Sequence, residues 1–481
     1  MRLSNATLAG LPATVQRPAY DRSAVTPGIV HLGVGAFHRA HQAAYVDACL
    51  AAGETSWGIV GASLRSRDTR DALGPQDGLY TLAVREDAGE DLIVIGSILS
   101  LLVAPEDPEA LLAALVDPGV RIVTLTVTEK AYLRSAAGDL DAAHPDVVAD
   151  LADPAHPKTA HGFIVEALAR RRAAGTPPFT VLSCDNLPNN GVTTRRVITQ
   201  FAALRDAALG RFVEGEVAFP SSMVDRIVPA TTDADRARVS ASLGVSDAWP
   251  VLTEPFMQWV VEDRFPAGRP DWERFGVTMV ADVTPYEEMK LRLLNGAHSS
   301  IAYLGQLLGR ETVAEAFADP AIRRFVDGLW QDFIATLPKD AGLDTADYIQ
   351  RLASRFANTA LRHRTAQIAN DGSQKLPQRI VAATLDRMEE GLPITRSAFV
   401  LAAWITALAA RATPPAFTDP LDGALAPVLA GGEDAAALVG AVFALTGFAA
   451  ASPHRGSLEA AVTAALIAIR QDGVSAALAA L

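Results

Sequence analysis

A chain of 481 residues exceeds what one ordinary hydrophobic core supports, so two domains are expected. With 49% hydrophobic and 20% charged residues it falls among globular proteins, outside the disordered classes. The formal net charge of −13 weighs against nucleic acid or an anionic membrane as a partner, and speaks to solubility more than to substrate.

Two cysteines, Cys49 and Cys184, make neither a disulfide framework nor a CxxC metal site. The amino-terminal stretch "MRLSNATLAGLPATVQRP" has no cationic start followed by an apolar core, and no apolar run reaches the roughly 18 residues of a membrane span. A soluble cytoplasmic protein is the expectation.

In chain order, the first half alternates short β-rich runs with helix-compatible segments. "GIVHLGVG" (28–35), "WGIVGASL" (57–64), "DLIVIGSI" (91–98), "RIVTLTVT" (121–128) and "FTVLSCDN" (179–186) are bounded by turn residues. Near-continuous apolar strands require a sheet covered on both faces. The expected fold class is α/β: a Rossmann-like doubly wound domain over residues 1–283, followed by a mainly α-helical domain over 284–481. Runs such as "SAFVLAAWITALAARA" (397–412) and "SLEAAVTAALIAIRQ" (457–471) suit helices, and a proline-rich loop is expected around 413–427.

The first strand leads into a glycine pair, Gly33 and Gly35, and then a helix. Such a turn lets the backbone approach a pyrophosphate at a helix start, so Gly33, Gly35, Ala36, Phe37 and His38 are candidate cofactor contacts. His38 replaces the third glycine of GxGxxG, which leaves a ligand-free tight turn as an equal alternative. After the second strand come Arg65, Arg67 and Asp68. The carboxylate suits the ribose hydroxyl of NAD, while a guanidinium there would suit the 2′-phosphate of NADP. His38 and His41 have the spacing of two metal ligands, but no third ligand or HExxH pattern is near, so no metal is assigned.

The stretch "PYEEMKLRLLNGAHSS" (285–300) reads as a helix with Thr284 as N-cap, Pro285 at the first position and Glu287 at the third. At about 100° per residue, Lys290, Asn295 and His298 share one side, with Lys290 at the edge of the apolar stripe. Desolvation would lower the lysine's pKa toward the range useful in acid-base chemistry. Asn295 can donate to an oxygen gaining charge, and His298 can orient the lysine or a hydroxyl. A snorkelling lysine beside a satisfied core histidine is the alternative. Asn186, at the end of the strand in "SCDNLPNNG", adds a second candidate oxyanion donor.

Taken together, "IVHLGVGAFHRAHQ", "TVTEKAY", "SCDNLPNNG", "MVDRIVPAT", "EPFMQWVVEDRF", "YEEMKLRLLNGAHS" and "DGSQKLPQR" resemble the polyol-specific long-chain dehydrogenases, which include mannitol 2-dehydrogenase and fructuronate reductase. The resemblance implies metal-independent hydride transfer between a nicotinamide and a secondary alcohol. It implies Lys290 as general acid-base, Asn186 and Asn295 as stabilisers of the developing alkoxide, and His298 as support for the lysine and a substrate contact. Glu129, Asp225 and Lys375 are implied contacts to substrate hydroxyls. A monomer or small homo-oligomer is the weak expectation that accompanies it.

Lys130 in "TVTEKAY", Gln367 where mannitol dehydrogenases of the family carry an arginine, and the "LRHRT…DGSQKLPQR" run look more like fructuronate reductase. Arg362, His363, Arg364, Lys375 and Arg379 are candidates for a cationic fork toward a substrate carboxylate, with Arg364 the leading one. The expected reaction is NAD-dependent interconversion of D-mannonate and D-fructuronate. A neutral polyol/ketose pair is the alternative within the enzyme class, and a dinucleotide-binding sensor the alternative outside it.

Overall fold

The computed structural model describes residues 1–135, 137–412, 415–431 and 434–481. The chain divides into two compact units, Met1–Thr284 and Pro285–Leu481.

The Met1–Thr284 unit is built on a five-stranded sheet ordered Ile98–Val103, Gly58–Ser63, Pro27–Leu32, Ile122–Leu125, Thr180–Ser183. All neighbouring pairs are parallel. Counted along the chain, the spatial order is third, second, first, fourth, fifth, which is the doubly wound arrangement expected from the sequence. The order reverses between Pro27–Leu32 and Ile122–Leu125, and open α/β sheets bind ligands beyond the strand ends at such a reversal.

Alternating side chains of each strand feed two separate cores, as the two-residue strand period demands. Val30, Leu32, Val60, Val123 and Val181 pack with Phe163, Ile164 and Phe201 of the helices Ala160–Ala174 and Asn190–Arg205. Ile29, Ile59, Ile122 and Leu182 pack on the other face with Tyr45 and Leu50 of Gln42–Ala51 and with Trp259 and Trp272. Coverage on both faces explains why the strands read as continuous apolar runs.

One run departs from the expectation. "DLIVIGSI" is not a single strand of the parallel sheet. Gly89–Ile95 pairs antiparallel with Tyr80–Glu86 in a separate three-stranded sheet completed by Val251–Thr253, and Ile98–Val103 joins the parallel sheet. Gly96 and Ser97 mark the break, where Gly96 N donates to Asp47 Oδ1 at 2.7 Å and Ser97 Oγ donates to Ala43 O at 2.8 Å. Apolar character alone cannot assign a strand to one of two sheets. A third sheet, Thr278–Val280, Gln258–Glu262 and Ser222–Asp225, completes the unit.

The Pro285–Leu481 unit is helical, and no strand occurs among its described residues. Its long helices Gly296–Leu307, Pro320–Ile334, Thr395–Ala409 and Arg455–Asp472 start and stop at local signals. Asp319 caps Pro320–Ile334 with proline at its first turn, and a Thr312/Glu315 capping box opens Val313–Phe317. The expected loop over 413–427 is shorter than its prolines suggest. Asp422–Ala430 is a helix that contains Pro427, while Thr413 and Pro414 lie outside the described residues. Among the described residues no helix is long and apolar enough to cross a membrane.

Candidate active site

In the Met1–Thr284 unit the first strand ends at Leu32, and Gly33 turns the chain with φ +98°. A Cβ on Gly33 would stand 2.3 Å from Thr126 O, so the neighbouring strand's backbone leaves room only for glycine. A Cβ on Gly35 would meet nothing closer than Gly33 O at 3.9 Å, which leaves the backbone there open to a pyrophosphate. The short helix Ala36–Ala40 begins directly after Gly35. A turn closed on one side and open on the other fits a dinucleotide.

His38 does not obstruct that opening. Its ring is fully buried and lies flat on His31 of the first strand, centroids 3.4 Å apart and 9° from parallel. An imidazole stack thus takes the place of the close helix-strand contact that a third glycine would give. His31 is held by Thr124 Oγ1 at 2.7 Å and Thr126 Oγ1 at 2.9 Å, whereas neither ring nitrogen of His38 has a partner among the described residues. His41 Nε2 hydrogen-bonds Gln258 O at 2.8 Å, and its ring packs on Tyr45 and Trp259.

Burial pushes His31 down to about 3 and His161 down to about 4, and holds His38 well below the usual histidine value. Unfolded histidines take protons below about 6.5, so the stability these three contribute is complete above that pH and falls as pH drops toward their folded values. Each adds about 1.4 kcal/mol per pH unit in that window. Burial also raises Asp47 to about 6, which has the opposite sign below that pH and there offsets one of the three. The unfolding midpoint in urea should therefore fall steadily from pH 6.5 to 5. A flat profile would mean that these histidines are not held neutral.

Beyond the fourth and fifth strands, Asp185 ties two loops together. Its carboxylate accepts from Val127 N at 3.1 Å, Thr128 N at 2.9 Å and Tyr132 Oη at 2.8 Å. Thr128, with φ +73°, and the 3-10 turn Glu129–Tyr132 are shaped by those bonds. Glu129 is exposed and pairs with Arg134 at 3.3 Å. Asn186, the next residue after Asp185, is also exposed. Asn190 Nδ2 donates to Asp185 O at 3.0 Å and to Ser222 O at 2.7 Å, which links this turn to the strand Ser222–Asp225 and so places buried Asp225. Arg65 and Asp68 lie past the second strand. Asp68 opens the helix Asp68–Leu73 and accepts from Ser66 Oγ at 3.0 Å. Asp185 was not singled out from the sequence, although a carboxylate directly after an apolar strand was a visible signal.

In the Pro285–Leu481 unit and the residues leading into it, the stretch that reads as one helix is three pieces: Thr284–Met289 α-helical, Lys290–Asn295 π-helical and Gly296–Leu307 α-helical. Thr284 lies inside the helix and not at its cap, and Asp282 Oδ1 accepts from its N–H at 2.9 Å. The wheel at 100° per residue therefore does not hold across 290–295. π-helical turns are rare and concentrate at functional sites. This one is braced by Trp330 Nε1, which donates to Leu293 O at 2.9 Å, and by Arg292 Nη1, which donates to Thr336 O at 2.7 Å.

Lys290 and His298 are both 7% exposed, and Asn295 is half-buried. The His298 ring packs on Phe356 at 4.7 Å and edge-on to His363 at 5.4 Å. Burial, then the charges of His363, Arg355 and Arg379, holds His298 well below the usual histidine value. Its Nε2 has no partner among the described residues. A neutral ring with one unused nitrogen in a buried setting is suited to a substrate hydroxyl.

The cationic run is dispersed. Arg362 and Arg364 are exposed, and Arg364 is the N-cap position of Thr365–Ala369. Lys375 Nζ donates to Asn370 O at 2.7 Å and lies 3.4 Å from Asp371. Arg379 Nη1 donates to Ser299 Oγ at 3.2 Å, next to His298 in sequence. Among the described residues no group of three or more His, Cys, Asp or Glu is arranged to hold a metal ion.

Two family models match most of the chain: the mannitol dehydrogenase Rossmann domain over residues 27–274 and the mannitol dehydrogenase C-terminal domain over 282–432. The chain belongs to the mannitol dehydrogenase family. This family member is an oxidoreductase acting on a secondary alcohol. It is 48% identical to the uncharacterized oxidoreductase YdfI of Escherichia coli K12, over 77% of each chain. It is 46% identical to a mannitol 2-dehydrogenase of Cereibacter sphaeroides, over 79% of this chain and 80% of that one. Among solved structures it resembles the Pseudomonas fluorescens mannitol 2-dehydrogenase in ternary complex with NAD and D-mannitol, with 40% identity, TM-score 0.85 and 99% of both chains covered. A substrate-free D-sorbitol dehydrogenase matches with TM-score 0.92 at 35% identity, over 99% of this chain and 100% of that one.

Proposed function

We propose that this family member interconverts D-mannonate and D-fructuronate with NAD as cofactor. The observation that carries the reading is the buried cluster on and beside the π-helical turn. Lys290 and His298 are buried there, and the positive charges of Arg355 and Arg379 act on His298 and help to keep it neutral. A proton-transferring lysine serves any secondary alcohol, but the half-buried Arg379, which has no carboxylate within ion-pair distance among the described residues, favours a substrate that brings an anion.

When bound, NAD would supply the hydride acceptor for alcohol oxidation and, in reduced form, the hydride donor for ketone reduction. Gly33, Gly35 and the backbone N–H groups of Ala36, Phe37 and His38 would hold its pyrophosphate, and Asp68 the adenosine ribose. In alcohol oxidation Lys290 takes the hydroxyl proton, and in ketone reduction its ammonium gives that proton back. Asn186 and Asn295 donate N–H to the oxygen as its charge changes. His298 Nε2 contacts a hydroxyl next to the reacting carbon. Glu129, Asp225 and Lys375 hold further hydroxyls.

Side-by-side NADH oxidation with D-fructuronate and D-fructose at matched concentrations near neutral pH tests the substrate. Faster turnover of D-fructuronate is expected. Faster turnover of D-fructose would replace the reading by a second one, D-mannitol with D-fructose, which the names of the relatives favour. For the cofactor, Asp68→Ala should weaken NADH binding more than NADPH binding. An unchanged ratio of the two dissociation constants would mean that the ribose is read elsewhere.

A further inference from the structure

Arg379 lies in a second π-helical turn, Pro377–Val381, which packs against the π-helical turn Lys290–Asn295. Gly296 permits this approach, since a Cβ there would stand 2.9 Å from Arg379 O. The side chain runs to the start of the helix Gly296–Leu307, where its guanidinium bonds Ser299 Oγ. Its charge acts on His298 on one side and on Lys375 on the other.

Several half-buried and buried arginines of this unit are matched by carboxylates. Arg292 pairs with Asp386 at 2.7 Å, Arg387 with Asp332 at 3.1 Å and Arg411 with Asp422 at 2.5 Å. Among the described residues, no carboxylate lies within ion-pair distance of Arg379. Burial accordingly holds its guanidinium below the ordinary arginine value, with Tyr303 and Asp371 opposing the shift from farther away. A desolvated guanidinium without an anion is costly, and its planar fork is shaped for a carboxylate. Lys375 is already engaged by Asn370 and Asp371, and Arg362 and Arg364 are exposed.

We propose that Arg379 is the specificity-determining residue of this site, binding the carboxylate of an acidic sugar beside His298. This rests on the sugar-acid reading above and assigns its anion contact. Arg364, the first choice from the sequence, then serves helix and surface structure.

The test uses the full chain as wild type, Arg379→Gln and Arg379→Lys, with far-ultraviolet circular dichroism to establish folding. Arg379→Gln should raise KM for D-fructuronate by about 100-fold with kcat changed less than about threefold, and leave KM for D-fructose within about threefold. Arg379→Lys should recover part of the loss, because it restores the charge without the fork. Equal losses on both sugars, or no loss on either, would overturn the assignment. A second readout is independent of turnover: calorimetric titration of the NADH-loaded protein with D-gluconate. Binding that weakens at least about 10-fold in Arg379→Gln upholds the anion site even where wild type prefers D-fructose, an outcome that would remove only the sugar-acid reading. No D-gluconate binding by wild type, or equal binding by the folded variant, would overturn the proposal.

Discussion

Replacing Lys290 by methionine should cut turnover at least about 100-fold while NADH still binds with its wild-type affinity. Methionine keeps much of the aliphatic stem at a position that is 7% exposed, so packing is largely kept and the amine is lost. The amine is the only group proposed to move the substrate proton. Its removal leaves the asparagines to polarise an oxygen that nothing protonates. Single-turnover NADH oxidation, with a fluorescence titration of NADH on the same preparation, separates chemistry from binding. Turnover within about threefold of wild type would take Lys290 out of the mechanism.

The second large effect is expected at the glycine turn, where two glycines separated by Val34 should behave differently. Gly33→Ala places a Cβ 2.3 Å from the Thr126 carbonyl oxygen at φ +98°. It should lower stability by about 2–4 kcal/mol and abolish tight NADH binding, because both the backbone angle and the neighbouring strand oppose it. Gly35→Ala meets no atom nearer than 3.9 Å and needs no unusual backbone angle, so its Tm should stay near wild type. Its methyl group would instead fill the space offered to the pyrophosphate, and the Kd for NADH should rise at least about 10-fold. Normal NADH affinity in Gly35→Ala would show that the phosphates pass elsewhere.

Much of this protein is written in local patterns. The doubly wound sheet is legible because each strand must be apolar on both faces, as Ile29 and Val30 or Ile122 and Val123 are, feeding opposite cores. The helical half is legible from helix-compatible runs, and Lys290, Asn295 and His298 stand out because polar side chains among leucines are expensive. What escaped is tertiary. The run 91–98 was split between two sheets by partners that no local pattern names. The π-helical turn at 290–295 shares its composition with any α-helix, so the angular relation assumed among the three polar residues was drawn for a different helix. His38, which looked like a defect in a glycine motif, is half of a stack whose other half, His31, lies seven residues earlier on the strand. The sequence put Arg364 first in a run in which every cation looks alike, and it carried no signal that Arg364 is exposed while Arg379 is half-buried.

The π-helical turn also bears on how such a site arises and how it could be lost. A helix bonded i to i+5 for one turn holds one residue more than the same span of α-helix, so the turn is what a single-codon insertion into an ordinary helix would leave. The surrounding helix has absorbed the extra residue by borrowing the Trp330 indole for the Leu293 carbonyl. Deleting one residue, Leu291 for instance, would let Thr284–Leu307 close into one uninterrupted α-helix. That change would swing Lys290 by about 100° relative to His298. Such a deletion variant should be folded, at least as resistant to heat as the parent, and inactive. The catalytic register of this protein would then be held by one supernumerary residue, with regular helix geometry always one deletion away.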